Sequence, residues 1–177
     1  MDRRMFGASM VAGALGLAVA PAAAQPGYRR PAPGDMRMGP AENRHAMDTL
    51  MLGTVALETS RLALSRAGRP LVRQFAEFEA EEQTTIAQII NEITGMGPPP
   101  IPPADRRVIE RLQRARGAAF DQEYLLGQVD GHRRLLDVQE RYLANGRNQH
   151  HRHIAMLARG RIREHIRELS ILQRVRG

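Results

Sequence analysis

Glu58, Glu79, Glu82, His132 and His165 are the side chains in this sequence whose types and spacing could do chemistry together. Carboxylates and imidazoles suit a divalent cation such as iron, manganese or zinc. Glu79 and Glu82 stand in RQFAEFEAEEQTTIAQII, residues 73–90, where Phe75, Phe78, Ile86, Ile89 and Ile90 recur at helical spacing. Both carboxylates fall on the apolar face. A carboxylate buried alone loses its hydration and takes up a proton, whereas one gathered around a cation or paired with imidazole stays charged. Asp121, Gln128 and Glu168 are weaker candidates, as ligands or as outer partners of the ligands. Bundle proteins hold two iron or manganese ions with inward Glu and Glu-x-x-His pairs. The match here is partial: Glu79-x-x-Glu82 has no histidine, and His165-x-x-Glu168 reverses the order.

Four long helices must position these groups. The first runs from about Asn43 to Ala67 and is broken by Gly68 and Pro70. The second starts with Pro70 in its first turn and ends near Thr94, before GMGPPPIPPAD. A short helix over about Ala104–Arg116 follows. The third long helix spans about Ala118–Ala144, and the fourth about Gln149–Val175. No period-two strand pattern is visible. Tight links join helices one to two and three to four, and the short helix lies in the crossover. The expected fold is therefore all-α: a ferritin-like antiparallel four-helix bundle with a short extra helix between helices two and three.

Turning each helix by about 100° per residue places its stripe. Met47, Met51, Val55 and Leu62 mark helix one, with Glu58 among them. Leu71, Val72, Phe75, Ile86, Ile90 and Ile93 mark helix two, with Glu79 and Glu82 inside. Asp121, Gln128 and His132 run along the centre of the helix-three band, and His165 lies among Ile154, Ala158, Ile162, Leu169 and Leu172. Counted from the turns, the five candidates fall within roughly 12 Å of one depth. Three arrangements fit: a metal site, a hydrogen-bonded network of Glu79 and Glu82 with His132, His165 or Arg161, or phases one residue off, with carboxylates at the rim. Met47 and Met51 read as core packing rather than a thioether metal pair. His150-His151-Arg152-His153, at the start of helix four, reads as exposed, and Arg152, Arg159, Arg163, Arg167 and Arg174 as that helix's solvated face.

Residues 1–24 have the form of a secretory signal peptide: MDRR, an apolar stretch, and an ending at Ala22-Ala23-Ala24. Arg3-Arg4-Met5-Phe6 also fits a twin-arginine export signal, and an ordinary Sec signal is the alternative. Residues 25–42 are rich in Pro and Gly and read as a flexible tether, leaving 43–177 as the helical domain. Export places the chain in the periplasm, soluble or peripherally attached, with no spanning segment after the leader. There is no cysteine, which excludes disulfides and thiolate chemistry. The net charge is +7, and every basic residue is Arg. An exported chain of this kind is not expected to meet nucleic acid, although its arginines could touch an anionic envelope surface. No nucleophile stands beside a base and no cofactor motif occurs, so an enzyme is not the expected reading.

The chain from about Arg44 to Val175 resembles the exported bacterial proteins grouped as domain of unknown function 4142, which have been labelled predicted outer membrane proteins. The resemblance lies in ALETSRLAL, VRQFAEFEAEEQ, FDQEYLLGQVDGH and IREH. The third is the most specific, with Phe120-Asp121, Tyr124, Gln128 and His132 spaced as in the family. Glu58 and His165 fall where the family usually shows Glu and His. Helix two departs: Glu79 replaces a Met, and Glu82-Gln83 replaces Asp-His. The resemblance implies ferritin-like helices and brings no catalytic activity. The outer-membrane label finds no alternating barrel strands to support it. The leading expectation is a metal-binding or stress-related exported bundle. Its rival is a metal-free envelope scaffold that meets a partner through the Arg-rich helix-four face or the tether.

Overall fold

The structure, a computed structural model, describes residues 36–175. Among them are five helices and no strand: α1 (Pro40–Arg66), α2 (Pro70–Thr94), α3 (Pro103–Arg114), α4 (Gly117–Asn145) and α5 (Gln149–Arg174). The leader and residues 25–35 of the expected tether lie outside the described residues. Helix α1 starts three residues earlier than periodicity placed it, because Pro40 suits a first turn and Glu42 accepts the Gly39 N–H at 3.1 Å. Pro70 and Pro103 open α2 and α3 in the same way. Gly95, at φ 70°, closes α2 in the left-handed conformation, and the Asn148 side chain caps α5 by accepting from the His150 and His151 N–H groups.

Helix α1 packs against α2 and α4, α4 packs against α5, and α3 lies across α1 and α4. The turn from α1 to α2 is fastened to α4, where the Asp121 carboxylate accepts the N–H groups of Gly68 and Arg69 at 3.0 and 2.9 Å. The apolar core has three parts. Ala63, Val72, Phe75, Phe120, Tyr124 and Leu169 cluster near that turn. Leu52, Leu135, Val138, Ala158 and Ile162 form a second group. Ala46, Leu50, Ile90 and Ile154 form a third.

The α1 stripe requires a correction. Met47 is exposed and Met51, Val55 and Leu62 are only partly covered, while Ala46, Thr49, Gly53, Ala56, Ser60 and Ala63 are buried. Small and hydroxyl-bearing residues let α1 approach its neighbours closely, and the large apolar side chains it buries are Leu50 and Leu52 rather than the expected four. On α2, Leu71, Phe78 and Ile89 are exposed, while Val72, Phe75 and Ile90 are buried as expected. On α5, all five expected stripe residues are buried.

Candidate metal centre

Three of the sequence candidates meet. Glu79 comes from α2, His132 from α4 and His165 from α5, and their exposures are 0%, 0% and 3%. Glu79 Oε2 lies 3.3 Å from His132 Nε2 and 3.1 Å from His165 Nδ1, and the two nitrogens are 3.1 Å apart. Phe75 closes one side, its ring centroid 5.3 Å from that of His165 and 6.1 Å from that of His132.

His132 Nδ1 donates to the Gln128 carbonyl at 2.7 Å, which leaves Nε2 as a lone pair when the ring is neutral. Arg161 Nη2 donates to His165 Nε2 at 3.3 Å, which puts the proton of a neutral ring on Nδ1, directed at His132 Nε2. Gln83 Nε2 donates to Glu79 Oε1 at 3.0 Å. Glu79 Oε2 then has no aligned donor, although it is fully buried. A positive charge in the triangle resolves this, either a proton on His132 Nε2 or a metal ion. Without metal, the proton takes the role. Burial alone would raise the Glu79 carboxyl, but the His132 charge and the contacts with both rings outweigh it and bring the value down to about 2. Burial alone would likewise lower His132, and the Glu79 carboxylate overrides it and raises the ring above its ordinary value.

The triangle also has the dimensions of a coordination site. Donors about 2.0–2.1 Å from zinc in a tetrahedron lie about 3.3 Å from one another. Two imidazole nitrogens and one carboxylate oxygen, with further positions open, are a donor set used for zinc and for iron(II). No other group of three or more such residues converges in this way among the described residues.

The other candidates fall elsewhere. Glu58 and Glu168 are exposed, which corrects the inward assignment of Glu58 and leaves Glu168, the weaker candidate, away from the triangle. Glu58 was placed by the wrong α1 stripe, and Glu168, which the sequence puts toward one edge of the α5 stripe, falls on the solvent side of that edge. Glu82 is at the rim, bonded to Arg161 Nε at 3.1 Å and 3.8 Å from His165 Nε2. Asp121 is buried but serves the α1–α2 turn. Gln128 is buried and orients His132 through its backbone carbonyl.

A second polar layer went unnoticed in the sequence. His45 and His151 are buried, with their Nδ1 atoms 2.9 Å apart. The expectation that the whole His150–His153 cluster is exposed is corrected for His151, which the Asn148 cap turns into the core. His45 Nε2 meets Gln139 Oε1 at 2.7 Å, and Gln139 Nε2 donates to Thr49 at 3.1 Å. His45 stacks on Tyr142, whose hydroxyl donates to Glu42 at 2.9 Å. The signal was available: His45, Thr49, Gly53, Ala56 and Ser60 follow helical spacing along the small-residue face of α1.

The fold and the site together define a class, a protein whose described residues are all-helical and carry one buried carboxylate–imidazole triad. Within that class the chain belongs to the family described as Domain of unknown function (DUF4142), whose model matches residues 29–172. No curated protein and no solved structure matches it.

Proposed function

We propose that this chain binds one divalent metal ion through Glu79 Oε2, His132 Nε2 and His165 Nδ1. The observation that carries the reading is the buried Oε2 with no aligned donor, at one corner of a triangle with sides of 3.1–3.3 Å. The site takes one ion rather than two, because Glu58 and Glu168 turn to solvent and leave a second ion without inward carboxylates. Zinc and iron(II) suit the donor set best, with manganese the third choice. Ligation by His165 Nδ1 moves that ring's proton to Nε2. Glu82 Oε2 is the carboxylate placed to receive it, once Arg161 gives way.

In this reading the four long helices form a ferritin-like antiparallel bundle with α3 in the crossover. The signal-like residues 1–24 deliver the chain to the periplasm, and the following segment tethers the bundle. No helix among the described residues is long and apolar enough to cross a membrane. The role is metal holding or a stress response in the envelope, not a defined catalytic reaction.

The test is elemental mass spectrometry of the full chain, purified without a histidine tag after growth with iron, manganese and zinc. About one metal per chain, absent from Glu79→Gln, is the expected result. A metal-free protein at saturating supply would overturn the reading. The triad would then be a register-setting network, and the Arg-rich face of α5 would become the place to seek a partner.

A further inference from the structure

Helices α2 and α5 meet along a seam that is far less closely packed than the seams of α1 with α2 and of α4 with α5. Both helices turn large apolar side chains to solvent beside it. On α2 these are Leu71, Phe78 and Ile89, spaced near whole turns, and on α5 they are Leu157 and Ile171, about four turns apart. Phe78 and Leu157 each stand one turn from the Glu82–Arg161 pair that bridges the seam, so the two stripes border one face. Leu157 is 75% exposed, and Leu71, Phe78 and Ile171 are each 53% exposed. A contiguous apolar face of this kind marks a surface that meets another molecule.

The charges around the face constrain that molecule. The middle is neutralised within the chain, because Arg161 pairs with both Glu82 and Glu164. The outer edge of α2 is acidic: Glu77 and Glu81 are exposed and in no ion pair among the described residues. The outer edge of α5 is basic: Arg163 is bonded to Glu140, and Arg167 is exposed and in no ion pair among the described residues. Glu79 meets His165 and Glu82 meets Arg161, so the two helices run antiparallel. On that register Glu77 is level with Arg167, Glu81 with Arg163 and Leu71 with Ile171, to within about one residue of rise. A two-fold axis parallel to the helices keeps every residue at its level and lays α2 of one copy over α5 of another. It brings acidic edge to basic edge twice, Glu77 to Arg167 and Glu81 to Arg163, and sets Leu71 over Ile171. Glu168 then comes level with the Gln74 amide, which can donate to it, while Glu92 and Arg174 lie past the two ends of the face. A two-fold axis across the helices would instead lay α2 on α2 and set Glu against Glu.

We propose that this face joins two copies of the chain in a two-fold dimer, with α2 of each lying on α5 of the other. The proposal stands apart from the metal reading, since Glu79, His132 and His165 are buried and none is needed for the contact.

The test is analytical ultracentrifugation of the full chain in chelator, from about 1 to 100 µM. A dimer is expected. Leu157→Glu changes a side chain that the single chain leaves in water. It should keep its helical circular dichroism and weaken the dimer at least about tenfold, because the dimer would bury the new charge. Glu77→Arg and Arg167→Glu should each weaken it roughly tenfold by setting like charges together, and the two combined in one chain should restore it. Three results would each overturn the proposal: a monomer throughout, which would leave the face to another protein; association unchanged in Leu157→Glu, which would place the contact elsewhere on the chain; or charge reversals without effect or without rescue, which would exclude α2 lying on α5.

Discussion

At the scale of single residues, Glu79 and Glu82 separate function from surroundings. They are three positions apart on one helix, yet Glu79 is fully buried against two imidazoles while Glu82 reaches the rim and an arginine. Replacing Glu79 with Gln removes the charge that holds the proton on His132. It should lower the stability of the metal-free protein by about 1–3 kcal/mol and abolish metal binding. Glu82→Gln should cost less than about 1 kcal/mol and leave the metal in place at weakened affinity, because it removes only an outer partner of His165. Urea unfolding and calorimetric zinc titration of the two variants would check this contrast. The same titration in buffers of different ionisation enthalpy should detect close to one proton released per ion. The entering cation displaces the proton from His132 Nε2.

At the scale of elements, the carboxylate is placed by a close approach. Gly53 on α1 lies opposite Gln83 on α2, and a Cβ there would meet Gln83 Oε1 at 2.6 Å. Gln83 in turn donates to Glu79 Oε1. Gly53→Ala should therefore destabilise by about 1–3 kcal/mol, despite its helix propensity, and should weaken metal binding as Gln83 shifts. Gly160→Ala on α5 meets nothing within 4 Å and should instead stabilise by about 0.5–1 kcal/mol. Thermal melts of both, with and without metal, measure the difference. Gly53 also explains why the helices were more legible than their faces. Proline and glycine punctuation fixed the ends to within three residues, because it acts through local sterics. The inward phases of α4 and α5 were equally clear, since large apolar residues mark them and carry His132 and His165 inward. Helix α1 was misread because its buried face is mostly Ala, Gly, Thr and Ser, which hydrophobic periodicity does not register, with Leu50 and Leu52 its only large apolar members. That error placed Glu58 inside and hid His45. Gln83 showed its role only once the position of Glu79 was known.

At the scale of the molecule, two buried polar layers respond to pH in opposite senses. In the layer around His45, burial is the main cause that lowers that ring to about 4, with the neighbouring His151 adding to it and Gln139 and Glu42 opposing. His151 is lowered too, chiefly by burial, with Glu42 opposing and His150 adding. The unfolded chain takes up protons here below about pH 6.5 while the folded chain does not, so stability falls from there toward pH 4. His132 behaves in reverse. Its raised value means the folded, metal-free chain holds a proton that the unfolded chain gives up, so this contribution is present below 6.5 and is lost as pH rises through the folded value. Glu79 adds stability above 4.5 that is lost only as pH falls toward about 2. The metal-free protein should therefore be most stable near pH 6–7 and decline on both sides. Urea unfolding at steps from pH 4 to 9, in the presence of chelator, would trace the two limbs. His45→Phe retains an aromatic ring against Tyr142 and removes one titrating group. It should lower stability at pH 8 but flatten the acid limb by about one proton, or roughly 1.4 kcal/mol per pH unit. Zinc should act on the other limb. A bound ion replaces the His132 proton, so the decline above pH 7 should disappear and metal-induced stabilisation should grow with pH until the ligands are fully deprotonated. An alkaline limb unchanged by zinc would mean that the metal binds outside the triad, whatever the elemental analysis returned.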